Sequence, residues 1–248
     1  MEGAAGVRFY NVSSTARGGG VAEMMPRQIA QLRGFGITAR WLILEGDAAF
    51  FSFTKQLHNA VHGTGQLLDA AAGAGERALY ARVCEREADA LVDGFLAPAG
   101  FDAARDVVVL HDPQPLGMLP RLRERLPGLK VVWRAHIGLS PSAGGALAAD
   151  AWAFFEPHAT LADAVIVSSP DYVRPALRDK TIVMRPGISP ISHKKCGDWR
   201  RAARARAAAR ASSPRHRAPA ARAQPRPRAG RRPLRARARG PAAPPHVA

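Results

Sequence analysis

Three apolar runs of this 248-residue chain end in groups that can bind or polarise a ligand. Glu45, Gly46 and Asp47 follow the first; His111, Asp112, Pro113 and Gln114 follow the second; Arg134 and His136 end the third. Arg134 and His136 are two residues apart, so a strand would turn both to one face. Imidazole, carboxylate, amide and guanidinium together supply donors and acceptors for hydroxyls and oxyanions. A fourth stretch, NVSSTARGGGVAEM (Asn11 to Met24), places Gly18, Gly19 and Gly20 between a strand-like run and a helix-like one. Glycine there lets the backbone approach a ligand closely, and the helix N-terminus would offer free N–H groups to an anion or to sugar oxygens. The same glycines would also serve any tight strand-to-helix turn. The spacing is not GxGxxG, and no Walker lysine follows.

The segment FFSFTKQLHNAVHG adds a second polar surface. At helical spacing Phe50, Phe53, Leu57 and Val61 fall on one side, and Lys55, His58, Asn59 and His62 on the other. Such a face is commonly just solvated. Lysine, histidine and asparagine together also suit sugar hydroxyls or phosphate.

These groups need a scaffold, and the pattern of the first 196 residues supplies one. Val7 to Val12, Ile37 to Leu44, Asp106 to His111, Lys130 to His136, Ala164 to Ser169 and Thr181 to Arg185 read as strands. Helical stretches alternate with them: Val21 to Arg33, Phe50 to His62, Glu76 to Phe95, Leu116 to Leu126 and Ala151 to Leu161. The alternation predicts an α/β fold, a Rossmann-like parallel sheet with helices on both faces. Polar side chains at the ends of successive strands then line a crevice at the carboxyl edge. Pro26, about a turn inside the first helix, predicts a kink or a later helix start. Gly34 and Gly36 are expected to end that helix.

Composition divides the chain near Cys196. Gly197 to Ala248 holds 15 arginines and one acidic residue, Asp198, and so carries +14 of the formal +16. Its apolar content is too small to offset the entropy of ordering, which predicts disorder. An arginine-rich arm of this kind could bind nucleic acid through counterion release. Alternatively it is a GC-rich gene read out of frame, since arginine, alanine, proline and glycine share GC-rich codons and no aromatics are interleaved for base stacking. Cys84 and Cys196 fit no metal spacing. With no leader and no run of 18 apolar residues, a soluble, reducing, cytoplasmic setting is expected.

The stretches NVSSTARGGGVAEM, ARWLILEGDAAFFSFTKQLHNAVHG, HDPQP, VVWRAHIGLS and RPGISPIS resemble the N-terminal half of a trehalose synthase of the glycosyl-transferring type. That group lies in family 4 of the retaining nucleotide-sugar glycosyltransferases, and the resemblance covers about Val7 to Lys195. It implies the N-terminal domain of a GT-B fold and a hexosyltransferase that moves glucose from a nucleotide diphosphate glucose to free glucose, giving trehalose. ADP- or UDP-glucose would be the co-substrate, with no bound cofactor and no metal. Small-molecule sugars are the implied partners. Neither nucleic acid nor a membrane is required, and an uncovered sheet edge would permit a homodimer.

By the resemblance, His136 and Arg134 are the catalytic pair, His136 contacting the transferred glucose and Arg134 orienting it or binding sugar. Gly18, Gly19 and Gly20 form the loop beside the donor phosphates. Glu45, Lys55, His58, Asn59, Asp112 and Gln114 line the acceptor pocket. Each could instead make a structural hydrogen bond at a strand or helix end. No carboxylate pair at hydrolase spacing is evident, against a glycosidase. The domains are read as 1–195, the acceptor-side domain, and 196–248, the tail. The second nucleotide-binding domain has no counterpart, so the chain is expected to be truncated and inactive alone. Ala135 and Gly138 differ from the residues expected around the histidine. A trehalose phosphorylase-like enzyme, or nucleic-acid binding through the tail, are the alternatives.

Overall fold

The computed structural model describes residues 6–65, 74–138, 143–185 and 187. The chain divides into two units, Met1–Gly187 and Ile188–Ala248, and the described residues all lie in the first. The arginine-rich tail, and RPGISPIS apart from Arg185 and Gly187, lie outside the described residues.

Six parallel strands form one sheet: β1 (Arg8–Ser13), β2 (Thr38–Ile43), β3 (Asp106–His111), β4 (Lys130–Ala135), β5 (Ala164–Val167) and β6 (Thr181–Val183). Their spatial order is β2-β1-β3-β4-β5-β6. From β1 the chain steps one way to β2, then returns past β1 to β3 and continues the other way. Because parallel crossovers are right-handed, reversing direction switches the connecting helix to the opposite face. Thus α1 (Gly19–Gly34) packs Met25 and Ile29 on one face, against Phe9, Ala39 and Trp41. The helices α2 (Ala48–Val61), α3 (Ala74–Leu91), α4 (Leu119–Arg125) and α5 (Gly145–Ala159) bury the other face, where Tyr10, Val12, Leu110, Trp133 and Val165 lie. The sheet is the Rossmann-like α/β arrangement expected from the sequence.

Three expectations need correction. Helix α1 starts at Gly19, earlier than expected, and runs through Pro26. Pro26 sits on the exposed side, so its ring meets solvent and the cost is one missing N–H···O bond. The helix ends at Gly34, with Gly36 in the left-handed region at φ 77. Helix α5 begins six residues before the expected Ala151. The third and fourth helices are each divided. After α3 a π turn spans Val92–Leu96, and a 3-10 turn over Leu116–Met118 precedes α4, with a proline in the first turn of α4.

The loop after β3 is held from below by α3. The Tyr80 hydroxyl donates to the Pro113 carbonyl at 2.7 Å and accepts from the Gly117 N–H at 2.7 Å. Cys84 Sγ donates to the Gln114 carbonyl at 3.4 Å. Tyr80 is fully buried, and burial pushes its hydroxyl well above the usual tyrosine range, so it remains a donor. Tyr80→Phe would strand one buried carbonyl and one buried N–H. The expected loss is about 2–4 kcal/mol of unfolding free energy, read by urea denaturation.

Candidate functional site

The strand order reverses direction between β1 and β3, and in open parallel sheets ligands bind at the carboxyl ends flanking such a reversal. Alternation sends Asn11, His111 and Arg134 to the α1 face, since their neighbours Tyr10, Val12, Leu110 and Trp133 enter the opposite core. His111 and Arg134 are register partners across β3 and β4. All three are buried, Arg134 being 8 % exposed. His136 lies one residue past β4, half-buried.

The side chains of Asn11, His111 and His136 form one connected group. Asn11 Oδ1 lies 3.1 Å from His111 Nε2, and His111 Nδ1 lies 3.0 Å from His136 Nε2. The two imidazoles are nearly parallel, at 12°. Asp112 Oδ1 accepts from the His136 N–H at 2.8 Å, while the Asp112 N–H donates to the Arg134 carbonyl at 2.9 Å. The Asp112 carbonyl accepts from Trp133 Nε1 at 3.0 Å. Asp112 is the one non-glycine residue with positive φ among the described residues, at 64°, a conformation that aspartate tolerates better than most. Among the described residues, the Arg134 guanidinium makes no hydrogen bond or ion pair.

Burial sets the charge states. It pushes His111 down to about 3, with His136 and Arg134 adding to the effect. It pushes His136 down to about 4, again helped by Arg134. Burial raises Asp112 to about 6, against the lowering by the His136 N–H and by Arg134. At neutral pH the group is therefore two neutral imidazoles, a carboxylate and a guanidinium, whose own pKa burial lowers and Asp112 raises.

The shifts have opposite consequences for stability. Each histidine has a folded pKa below its ordinary 6.5, so its contribution is present above 6.5 and is lost as pH falls through the folded value. Asp112 has a folded pKa above its ordinary 3.8, so its contribution is present below 3.8 and is lost as pH rises through about 6. Near pH 5, unfolding takes up two protons on the histidines and releases one from Asp112. The net uptake of one makes stability fall by about 1.4 kcal/mol per pH unit on acidification. His111→Asn should flatten that slope by about one proton, measured by denaturant unfolding between pH 4.5 and 6.5.

The remaining expected site residues are placed less tightly. Gly18 caps α1 with φ 75 and Gly19 has φ 81, so backbone conformation alone calls for glycine at both. Gly20 has no positive φ, and a Cβ there would meet no described atom within 4 Å, so the described chain gives no reason for glycine at that position. Gly18 offers no side chain to cap α1, and among the described residues no hydrogen bond is made by its first N–H groups at the carboxyl rim. Glu45 is exposed just beyond β2; its N–H donates to Glu87 Oε2 at 2.8 Å, and Arg86 donates to its carbonyl. Asp47 caps α2 by accepting from the Phe50 N–H at 2.8 Å.

Lys55, His58 and Asn59 lie on α2, which packs on the sheet face opposite the side chains of His111 and Arg134. The end of α2 reaches the start of α5, where a Cβ on Gly63 would stand 3.4 Å from the Gly144 carbonyl. The His58 and His62 rings meet edge-on at 5.0 Å, and burial, then Lys55 and His62, lowers the His58 pKa. Among the described residues, no hydrogen bond joins Glu45, Lys55, His58 or Asn59 to the Asn11–His111–His136 group. Gln114 is half-buried, its carbonyl held by Cys84.

Sequence reasoning put His111 on the carboxyl rim without giving it a role, and missed Asn11, Tyr80 and Cys84. A polar residue inside a central strand was the signal for Asn11. Among the described residues, no three histidine, cysteine, aspartate or glutamate side chains cluster to hold a metal, and no helix is long and apolar enough to cross a membrane.

Comparison with known proteins adds four findings. The family model described as trehalose synthase, N-terminal domain, matches residues 11–174. The trehalose synthase of Pyrococcus horikoshii is 35 % identical over 190 residues, covering 76 % of this chain and 41 % of the relative, so the chain spans about two fifths of that relative's length. The trehalose phosphorylase of Pleurotus pulmonarius is 29 % identical over 167 residues, 64 % of this chain and 22 % of the relative. Among solved structures, an E. coli protein described as "Trehalose-6-phosphate … bound with UDP-2-fluoro glucose" superposes with a TM-score of 0.53 and 17 % identity, covering 82 % of this chain and 54 % of that one. At that identity the likeness is one of fold, and the described residues match one Rossmann-like domain of a GT-B fold.

Proposed function

The chain belongs to the trehalose synthase N-terminal domain family, and from that premise we propose that the carboxyl rim of its sheet is one wall of a glucosyl-transfer site. The reaction moves glucose from a nucleotide diphosphate glucose to free glucose, with retention, and yields trehalose. His136 hydrogen-bonds the transferred glucose and Arg134 orients it. The free N–H groups above Gly18, Gly19 and Gly20 face the donor phosphates. Glu45, Lys55, His58, Asn59, Asp112 and Gln114 line the acceptor side.

The observation that carries this reading is Arg134. The Arg134 guanidinium, on a residue 8 % exposed, has no hydrogen-bond partner among the described residues, so its donors stay available to a ligand at the rim. It stands beside an acceptor carboxylate and a neutral imidazole, and this mixed set of donors and acceptors fits hydroxyls, which are both. The open space over Gly20 agrees with a ligand there. As the glycosidic bond to the donor breaks, charge grows on the leaving diphosphate, and aimed N–H donors stabilise it. Holding the acceptor hydroxyl against the anomeric carbon contributes the rest. The UDP-2-fluoro glucose in the description of the E. coli neighbour supports a nucleotide sugar as co-substrate. The setting is read as cytoplasmic.

Similarity to the Pleurotus enzyme favours a second reading, in which phosphate takes the place of the nucleotide. Calorimetric titration of the purified chain with glucose, ADP-glucose, UDP-glucose and phosphate separates the two. Glucose should bind, and Arg134→Ala should weaken it about 10- to 100-fold, the loss of hydrogen bonds to a charged group. Glucose affinity unchanged by Arg134→Ala would contradict the reading. Phosphate binding without nucleotide-sugar binding would favour the phosphorylase.

A further inference from the structure

We propose that Asn11 and His111 are positioning residues that hold His136 in its Nε2–H tautomer, so that Nδ1 is the acceptor offered to a ligand hydroxyl. The order of donors starts from the backbone of β2. Asn11 Nδ2 donates to the Arg40 carbonyl at 3.3 Å, which turns Oδ1 toward His111. A flipped amide would set Oδ1 against the Arg40 carbonyl, two acceptors facing each other. Asn11 Oδ1 only accepts, so His111 Nε2, 3.1 Å away, carries the hydrogen. A neutral imidazole has one N–H, so His111 Nδ1 is a lone pair. His136 Nε2, 3.0 Å from that lone pair, must therefore donate. His136 has then spent its one hydrogen, and Nδ1 is unprotonated.

Burial keeps both rings neutral at physiological pH, so neither carries a second hydrogen that would break the sequence of donors. Among the described residues, His136 Nδ1 has no hydrogen-bond partner, and Asp112 fixes the same residue through its backbone N–H at 2.8 Å instead. An unprotonated Nδ1 takes a hydrogen from a hydroxyl and repels a phosphate oxygen. Asn11 sits in the central strand and His111 lies 100 residues later, so two adjacent strands specify which atom of His136 meets the substrate. This deepens the glucosyl-transfer reading and rests on it only for the identity of the ligand, because the tautomer follows from the protein's own bonds.

The test is a long-range 1H–15N spectrum of the uniformly 15N-labelled full chain at pH 7.5, which distinguishes protonated from unprotonated ring nitrogens. Both His111 and His136 should show hydrogen on Nε2 and a lone pair on Nδ1. Asn11→Asp keeps an acceptor opposite His111 and should keep the pattern. Asn11→Leu removes it, and the two nitrogens of His136 should move toward the average of the two tautomers. Hydrogen on Nδ1 of His136 in the unsubstituted chain would overturn the proposal, as would a folded Asn11→Leu variant with an unaltered His136 pattern. Glucose added to the same sample reports separately on the ligand. A silent His136 Nδ1 on titration would sink the sugar reading at this atom while leaving the tautomer assignment standing.

Discussion

Asp106→Ala should cost about 3–5 kcal/mol of unfolding free energy, the penalty for breaking a buried ion pair from one side. Asp106 is fully buried at the start of β3, opposite its register partner Arg8 on β1. Its carboxylate accepts from Arg8 Nε at 2.5 Å and Nη2 at 2.6 Å, and from the Asp102 N–H at 2.8 Å. The same guanidinium reaches the Ala99 and Gly100 carbonyls at 2.6 and 2.8 Å, tying the loop before β3 to β1. Truncating the carboxylate leaves a partly buried guanidinium with carbonyl partners alone and orphans the Asp102 N–H. Replacing both members, Arg8→Leu with Asp106→Leu, should cost less than Asp106→Ala by itself, since no unpaired charge remains. Urea unfolding of the three variants checks the order. A double variant less stable than the single one would contradict the account of this pair.

Asp112→Ala should be the second large effect, and it combines stability with the site. The substitution leaves the buried His136 N–H without its acceptor and asks alanine to hold φ 64. An unsatisfied buried donor costs about 1–3 kcal/mol and the left-handed backbone about 1–2 more. Together they predict a loss of about 2–5 kcal/mol, measured by denaturation. Asp112→Asn keeps one oxygen to accept from His136 and tolerates positive φ, so it should lose less than half as much. It also removes the group that burial raises to about 6, and the stability Asp112 contributes at low pH should go with it. Equal losses in the alanine and asparagine variants would show that neither the backbone bond nor the φ angle matters as described.

Two polar clasps thus join β1 to β3, at opposite ends of one strand pair. The amino-end clasp, Arg8–Asp106, secures the fold. The carboxyl-end clasp, Asn11–His111, continues to His136 in the candidate site.

How much of this was legible in the sequence depended on the range of the interaction. All six strands could be read because their runs of β-branched and aromatic residues are local signals, and the parallel sheet followed from alternation with helices. Helix α5 starts before the expected Ala151 because packing of Ala148, Ala151 and Trp152 into the core recruits the preceding turn into the helix, a tertiary effect that local sequence does not show. Pro26 predicted a kink or a later helix start because sequence shows the lost hydrogen bond but not the solvent-facing side that accommodates the ring. Asp112, Arg134 and His136 were legible as rim residues since strand ends and period-2 spacing put them there. The tie from Asn11 to His111 was not, because it spans 100 residues and needs the β1–β3 register. Tyr80 and Cys84 had no sequence signal of a role in the site, because they act on backbone carbonyls 33 and 30 residues away.

The central claim is that the rim around Gly19, Asp112, Arg134 and His136 receives a sugar. Backbone amide shift mapping of the 15N-labelled chain during a glucose titration tests it most directly. The account predicts saturable shifts concentrated at Gly18–Gly20, Asp112, Arg134 and His136, moved to about 10- to 100-fold higher glucose by Arg134→Ala. Saturable shifts elsewhere with these amides unmoved, or no shifts at any glucose concentration, would contradict it.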